Sequence, residues 1–319
     1  MSVLVTGGIG YIGSHVSRLL QDRGEEVIAI DNLSSGDASR LGNARLYEVD
    51  LAAADATEEL GRIIRAHGVT SVIHLAARKQ VGQSVEEPEF YYQQNIGGMV
   101  NLLTAMRDNK VERLVFSSSA ATYGVPNVAI VNEDYDCHPI NPYGETKLIG
   151  EWMVANASRA WGLRAANLRY FNVAGTGWPE LADTAVANLV PIVFAAIKAG
   201  HKPRVFGDDF DTPDGSGIRD YVHVLDLAEA HLSALDYLDS DERPHNTFNV
   251  GTGVGSSVFE VLDMVRQVTG IEFEAEVLPR RAGDPPSLTA DVSRIRETLG
   301  WTSRYDLHEI ISSAWLAIN

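Results

Sequence analysis

The chain has 319 residues, 45% of them apolar, and a formal net charge of −17, the profile of a globular protein long enough for two domains or one large core. That acidity argues against broad nucleic-acid binding, because most of the surface would repel a phosphate backbone, yet a few arginines and backbone amides suffice for a small anionic ligand. Cys137 is the sole cysteine, residues 1–8 carry no basic or apolar leader, and no apolar run nears the ~18 residues of a membrane span, so no intrachain disulfide and a reducing, cytoplasmic setting are expected.

Residues 3–8, VLVTGG, read as a short buried strand ending in glycines. YIGSHVSRLLQDRG follows, with apolar Ile12, Val16, Leu19 and Leu20 at helical spacing and Gly24 as a stop. Gly8, Gly10 and Gly13 fit G-x-G-x-x-G, and Gly7 extends it backward. The next strand, EVIAIDN, carries Asp31 near its end. Strand, glycine turn, helix, strand and acid in this order form a dinucleotide-binding fingerprint. The glycines let the backbone approach a pyrophosphate and the helix start offers it free amides. Asp31 accepts from a ribose 2′-hydroxyl and repels a 2′-phosphate, which favours NAD over NADP. A strand-to-helix turn with incidental glycines explains fewer of these parts.

The alternation continues through RLYEVD, a helix in EELGRIIRAHG, the strand SVIHLAA, a helix over 91–109, the strand RLVFSSSA, a helix after Asn141 and the strand RAANLRYFN. Short apolar strands alternating with helices predict an α/β fold with a doubly wound, Rossmann-like parallel sheet. FSSSAATYG places Ser117, Ser118 and Ser119 at a strand end, the edge where such sheets bind ligands. In INPYGETK, Asn141 is a good N-cap and Pro142 a good first helical residue, so Tyr143 falls in the first turn with Lys147 one turn along on the same face. An ammonium near a phenol stabilises the phenolate, as does the positive helix end, so the pair is expected to form a base near neutral pH.

After Asn172 the rhythm breaks into loops rich in Gly, Pro and Asp, such as GDDFDTPDGSG and PRRAGDPPS, and TFNVGTG at 247–253 reads as another buried strand. The expected organisation is an NAD-binding Rossmann domain over 1–172 and a smaller α/β substrate domain over 173–319, with the chain returning to the first domain near 226–253. The nine histidines contain no H-x-x-x-H pair, and His223, Asp226, Glu229 and His231 read as solvated polar residues, so no metal is expected.

Taken together, VTGGIGYIGSH, DNLSSG, VIHLAARKQVGQSVEEPEFYY, SSSAATYG, NPYGETK, RYFNVAG, GSGIRDYVHVLDLAEAH and PRRAGD resemble the extended short-chain dehydrogenase/reductase family over nearly the whole chain. The last two point to its nucleotide-sugar enzymes. The resemblance implies NAD-dependent 4-epimerisation of a UDP-hexose through a transient 4-keto sugar. Tyr143 would take the 4-hydroxyl proton, Lys147 would tune it and hold the nicotinamide ribose, and Ser119 would donate to the sugar 4-oxygen. Cofactor contacts are implied from Gly7, Gly10, Tyr11, Ile12, Gly13, Asp31, Asn32, Leu33, Asp50, Leu51, Leu75, Ala76, Ala77, Lys79, Asn95 and Phe171, besides Tyr143 and Lys147. Gln94 or Asn95 makes the contact at that point, and Ala77 replaces a common glycine. The UDP-sugar would meet Ser119, Tyr143, Asn172, Asn188, Leu189, Arg219, Arg280 and Asp284, with Leu288 beside the sugar C2 substituent. A homodimer through the helices near 91–109 and 143–159 is implied as well. Other readings stay open: an epimerase or decarboxylase of another nucleotide sugar (UDP-glucuronate, a UDP-N-acetylhexosamine, a UDP-pentose, a dTDP-hexose), or a catalytically silent NAD sensor. Dehydration is disfavoured, because Ala120-Ala121 stand where the family's dehydratases carry Asp-Glu.

Overall fold

The computed structural model describes residues 1–240, 243, 246–281 and 283–319. Its strands are β1 (Ser2–Thr6), β2 (Glu26–Asp31), β3 (Arg45–Glu48), β4 (Ser71–His74), β5 (Arg113–Ser119), β6 (Ile130–Val131), β7 (Arg164–Tyr170), β8 (Asn172–Ala174), β9 (Arg204–Phe206), β10 (Ile218–His223), β11 (Thr247–Val250), β12 (Gly255–Ser257), β13 (Glu276–Leu278) and β14 (Ser287–Ala290). The α-helices are α1 (Tyr11–Asp22), α2 (Ala56–His67), α3 (Val81–Glu86), α4 (Pro88–Tyr91), α5 (Gly98–Asp108), α6 (Pro142–Trp161), α7 (Leu189–Lys198), α8 (Val224–Tyr237), α9 (Val258–Thr269), α10 (Ser293–Leu299) and α11 (Leu307–Leu316). Two compact units result: unit 1 holds residues 1–122, 137–169 and 228–248, and unit 2 holds 123–136, 170–227 and 249–319. Residues 123–136, which the sequence reading placed within 1–172, fall in unit 2, where β6 pairs with β14.

Unit 1 is built on a seven-stranded sheet ordered β11-β7-β5-β4-β1-β2-β3. The β1–β2, β1–β4, β2–β3 and β4–β5 pairs are all parallel, as expected of apolar strands returned by helices. Strand order reverses at β1, which lies between β2 and β4, and such a switch point is where open α/β sheets bind ligands, outside the carboxyl ends of their strands. Leu4, Ile28, Ile30, Val72 and Leu114 of the sheet pack against Leu60 and Ile63 of α2 and Leu102 and Met106 of α5. The helix expected over 91–109 is not uniform. A π-helical stretch, Tyr92–Gly97, separates α4 from α5, and the wider turn carries Asn95, whose amide bonds the backbone of Arg78.

Unit 2 carries a sheet ordered β12-β10-β14-β6, with β8 added along β10, and a separate parallel pair β13-β9. Val193 and Phe194 of α7, Val261, Leu262 and Val265 of α9, and Ile310 and Ile311 of α11 form its core. Capping boxes, Ser257 with Glu260 and Asp306 with Glu309, start α9 and α11 by satisfying amides the helices leave free. The reading of His223, Asp226 and His231 as solvated is corrected: all three are buried. Asp226, for example, accepts from the backbone N–H of Arg304 and of Tyr305, long-range partners with no local sequence signal. No helix among the described residues is long and apolar enough to cross a membrane.

Candidate active site

The turn after β1 takes its shape from glycine. Gly7 has φ +70°, and a Cβ at Gly13 would sit 2.0 Å from the Gly7 carbonyl oxygen, so neither position tolerates a side chain. Gly10 caps α1, Tyr11 and Ile12 open it, and no side chain caps it, which leaves the first amides open to an anion. At the end of β2, Asp31 accepts from the Leu33 N–H at 3.0 Å. Burial raises its pKa, and backbone amides of Leu33, Ile9 and Asn32 oppose that rise. Leu33 itself sits at φ 57°, rare for a branched residue, and the bond to Asp31 holds it there. The Asn32 side-chain oxygen accepts from Ser34, and that of Asp50 from the Ala52 N–H at 3.0 Å. Leu51 is buried with its carbonyl bonded to Asn101. This cradle, which a Cβ would fill, faces a carboxylate suited to two ribose hydroxyls, and together they fit NAD.

Leu75 and Ala76 follow β4 and are tied to β1, the Leu75 N–H to the Thr6 carbonyl and the Ala76 N–H to the Thr6 hydroxyl. Ala77 is half-buried and Lys79 exposed. At the π-helical turn, the Asn95 side chain has partners within the protein. It accepts from the Arg78 N–H at 2.8 Å and donates to the Arg78 carbonyl and the Thr146 hydroxyl, each at 3.0 Å. Asn95 thus ties the segment after β4 to α6, while Gln94 stays half-buried.

On α6, Asn141 accepts from the Gly144 N–H at 2.8 Å and Pro142 opens the helix, so Tyr143 and Lys147 stand on one stripe facing the end of β5. The three consecutive serines there have separate partners. The Ser117 carbonyl accepts from Lys147 Nζ at 2.7 Å, the Ser118 hydroxyl donates to Glu151, and the Ser119 hydroxyl bonds the Tyr143 phenol. Lys147 Nζ lies 5.9 Å from the Tyr143 ring centroid and 5.3 Å from that of Phe116. Burial lowers the Lys147 pKa to about 8. Burial raises the Tyr143 pKa, and the bond from Ser119 offsets part of that rise.

Apart from Ser119 and Tyr143, the residues assigned to the nucleotide sugar lie in unit 2. Arg219 on β10 is mostly buried, donates to the carbonyls of Ile218 (2.8 Å) and Pro285 (2.9 Å), and stands 3.7 Å from Asp284. Leu288 on β14 is its register partner, so the two side chains share one face of the sheet. Asn188 precedes α7 without capping it, its amide bonded to Asp183 at 3.2 Å, and Leu189 is the first helical residue. Asn172 on β8 lies opposite Tyr221 and bonds its hydroxyl, and the Phe171 N–H donates to the Val250 carbonyl. Arg280 ion-pairs with Asp209 and lies 4.2 Å above the Phe210 ring. The structure therefore groups Arg219, Asp284 and Leu288, while Arg280 sits with the loop after β9. Sequence reasoning missed Phe206 and Phe210, which carry Arg281 and Arg280 on their rings, and the buried Ser118–Glu151–Arg169 group. Only Glu151 left a signal, since it stands four residues past Lys147 on the same stripe.

Residues 3–251 match the family described as NAD dependent epimerase/dehydratase. A UDP-glucose 4-epimerase of Corynebacterium glutamicum is 44% identical over 323 residues, covering 99% of this chain and 95% of that one. The crystal structure of a UDP-glucose 4-epimerase from Brucella ovis in complex with NAD superposes with a TM-score of 0.93 at 40% identity, covering 98% of this chain and 97% of the other. That of a Bifidobacterium longum UDP-glucose 4-epimerase with NAD+ and UDP gives 0.91 at 33% identity, covering 100% and 99%.

Proposed function

Because the chain belongs to the NAD-dependent epimerase/dehydratase family, we propose that it interconverts the C4 epimers of a UDP-hexose, UDP-glucose and UDP-galactose, with NAD as resident cofactor and Tyr143 as base. The observation that carries this reading is the grouping of Ser119, Tyr143 and Lys147 at the carboxyl end of β5, in the same unit as the glycine cradle and Asp31. NAD, when bound, supplies a reversible hydride acceptor for C4 and ends each turnover as it began. The residues of the chain handle the proton. Ser119 bonds the 4-oxygen and Tyr143 takes its proton, then returns it when the other epimer forms. The Lys147 ammonium, locked to the Ser117 carbonyl, stabilises the phenolate and offers its remaining protons to a ribose. Unit 2 supplies Arg219 and Arg280 for the diphosphate, whose oxygens match the planar guanidinium fork, with Asn172, Asn188, Leu189 and Asp284 around the nucleotide.

The protein acts as a homodimer in this reading. Trp152 on α6 is 57% exposed and Val100 on α5 48%, large apolar side chains left open to solvent on two helices of unit 1. The single half-buried thiol of Cys137 suits a reducing cytoplasm. The test is turnover of UDP-galactose by purified protein with no NAD added, followed by assay of the denatured supernatant for nicotinamide nucleotide. Epimer formed by protein carrying its own NAD is the expected result. Stoichiometric consumption of added NAD without epimer would make the enzyme a net dehydrogenase.

A further inference from the structure

The stripe of α6 that carries Tyr143 and Lys147 continues to Glu151, one further turn along. Glu151 is nine-tenths buried and is held from two strands. The Ser118 hydroxyl of β5 donates to one carboxylate oxygen, and Arg169 of β7 donates from Nε to Oε1 at 2.8 Å and from Nη2 to Oε2 at 2.6 Å. None of the three belongs to the proton chemistry above, and Glu151 lies roughly 12 Å along the helix from Tyr143.

Burying such a pair is expensive, and apolar residues of the same volume commonly serve stability as well or better. What the pair adds is direction. A forked guanidinium meeting a carboxylate edge-on fixes both translation and rotation, whereas apolar contacts resist neither strongly. α6 needs that constraint, because it rests on β5 and the turn after it through residues without side chains. A Cβ at Gly150 would meet the Phe116 ring at 2.5 Å, and one at Gly144 the Ala121 carbonyl oxygen at 2.6 Å.

We propose that Glu151, clamped by Arg169 and Ser118, is a positioning residue that sets the register of α6 on β5, so that Lys147 meets the Ser117 carbonyl and Tyr143 meets Ser119. The role rests on the epimerase reading for its kinetic consequence but not for its structural one. A displacement of the phenol by about an ångström suffices for a large loss of rate, because proton and hydride transfer depend steeply on geometry.

The experiment compares wild type, Glu151→Gln, and the double variant Glu151→Leu/Arg169→Met, which removes both charges together and so leaves no buried ion unpaired. For each, NAD content, KM and kcat for UDP-galactose per NAD-loaded site, and the pH profile of kcat are measured. Phenolate formation by Tyr143 is followed by ultraviolet difference absorbance against the Tyr143→Phe protein. The double variant is expected to load NAD and keep KM within about twofold, while kcat falls roughly 10-fold or more and the phenolate titrates at higher pH. An unchanged kcat and titration in the double variant overturns the proposal, as does loss of NAD loading in step with activity in both variants, which makes the pair purely structural. If wild type turns over no UDP-hexose, the epimerase reading fails, and the absorbance titration still decides the positioning role.

Discussion

At the scale of single residues, the proposed proton transfer turns on one phenolic oxygen. Tyr143→Phe removes only the phenolic oxygen, so turnover should fall by roughly 10²–10⁴-fold while NAD content and UDP affinity stay near wild type. A Phe variant with near-normal rates would show that Tyr143 is not the base. Leu288 tests the sugar. Its register with Arg219 sets it on the face of β10 and β14 that carries the arginine assigned to the diphosphate. Branched but smaller than an aromatic, it should favour hexoses and admit UDP-N-acetylglucosamine weakly. Leu288→Ala should raise the N-acetyl to hexose ratio of kcat/KM by roughly 10-fold, the scale of one relieved contact, and an unchanged ratio would place the wall elsewhere. His74 couples the site to pH. Burial, with Lys147 adding to it, lowers its pKa from 6.5 to about 3. Between those values the unfolded chain binds a proton that the folded protein refuses, so stability is lost as pH falls through that window. The loss attributable to His74 should be roughly 2 kcal/mol between pH ~7 and ~5. Urea unfolding of wild type and His74→Phe at both values measures it, and equal slopes in the two proteins would remove His74 as the cause.

The elements show what a sequence can and cannot declare. The turn at Gly7, Gly10 and Gly13, the β1–α1–β2 order and the start of α6 were all legible, because glycine conformation, period and capping are local properties. The π-helical turn at Tyr92–Gly97 was not, since it answers to Arg78, far away in sequence. Burial of His223, Asp226 and His231 was likewise hidden, and the raised pKa of Tyr143 followed from desolvation that spacing alone does not report. Which of the three serines meets which residue of α6 was also invisible, because strand-to-helix distance is set by the absence of side chains at Gly144 and Gly150. That distance is testable. Gly150→Ala drives a methyl into the Phe116 ring that also underlies Lys147, and should destabilise the protein by ~1–3 kcal/mol and lower kcat. Chemical denaturation and steady-state kinetics on one preparation check both, and wild-type stability would mean α6 has room to lift.

For the whole molecule, the exposed Trp152 makes the assembly state an experimental question with one substitution. For the proposed homodimer, Trp152→Glu should shift the sedimentation coefficient to that of a monomer, since a carboxylate cannot be buried in an apolar contact without a partner. Wild-type sedimentation of the variant would put the interface on another surface. The covalent path of the chain has a consequence of another kind. Unit 1 is assembled from three separate stretches, and the strand that covers the edge of β7 is β11, which begins at Thr247. On the ribosome β7 is therefore complete while its neighbour remains unsynthesised, roughly 80 residues upstream of its pairing partner. At ~5–20 residues per second the nascent sheet keeps an unsatisfied edge for several seconds. Through that interval the newborn protein, rather than the finished enzyme, is the form most exposed to wrong strand pairing, and slower translation of residues 171–246 lengthens the exposure.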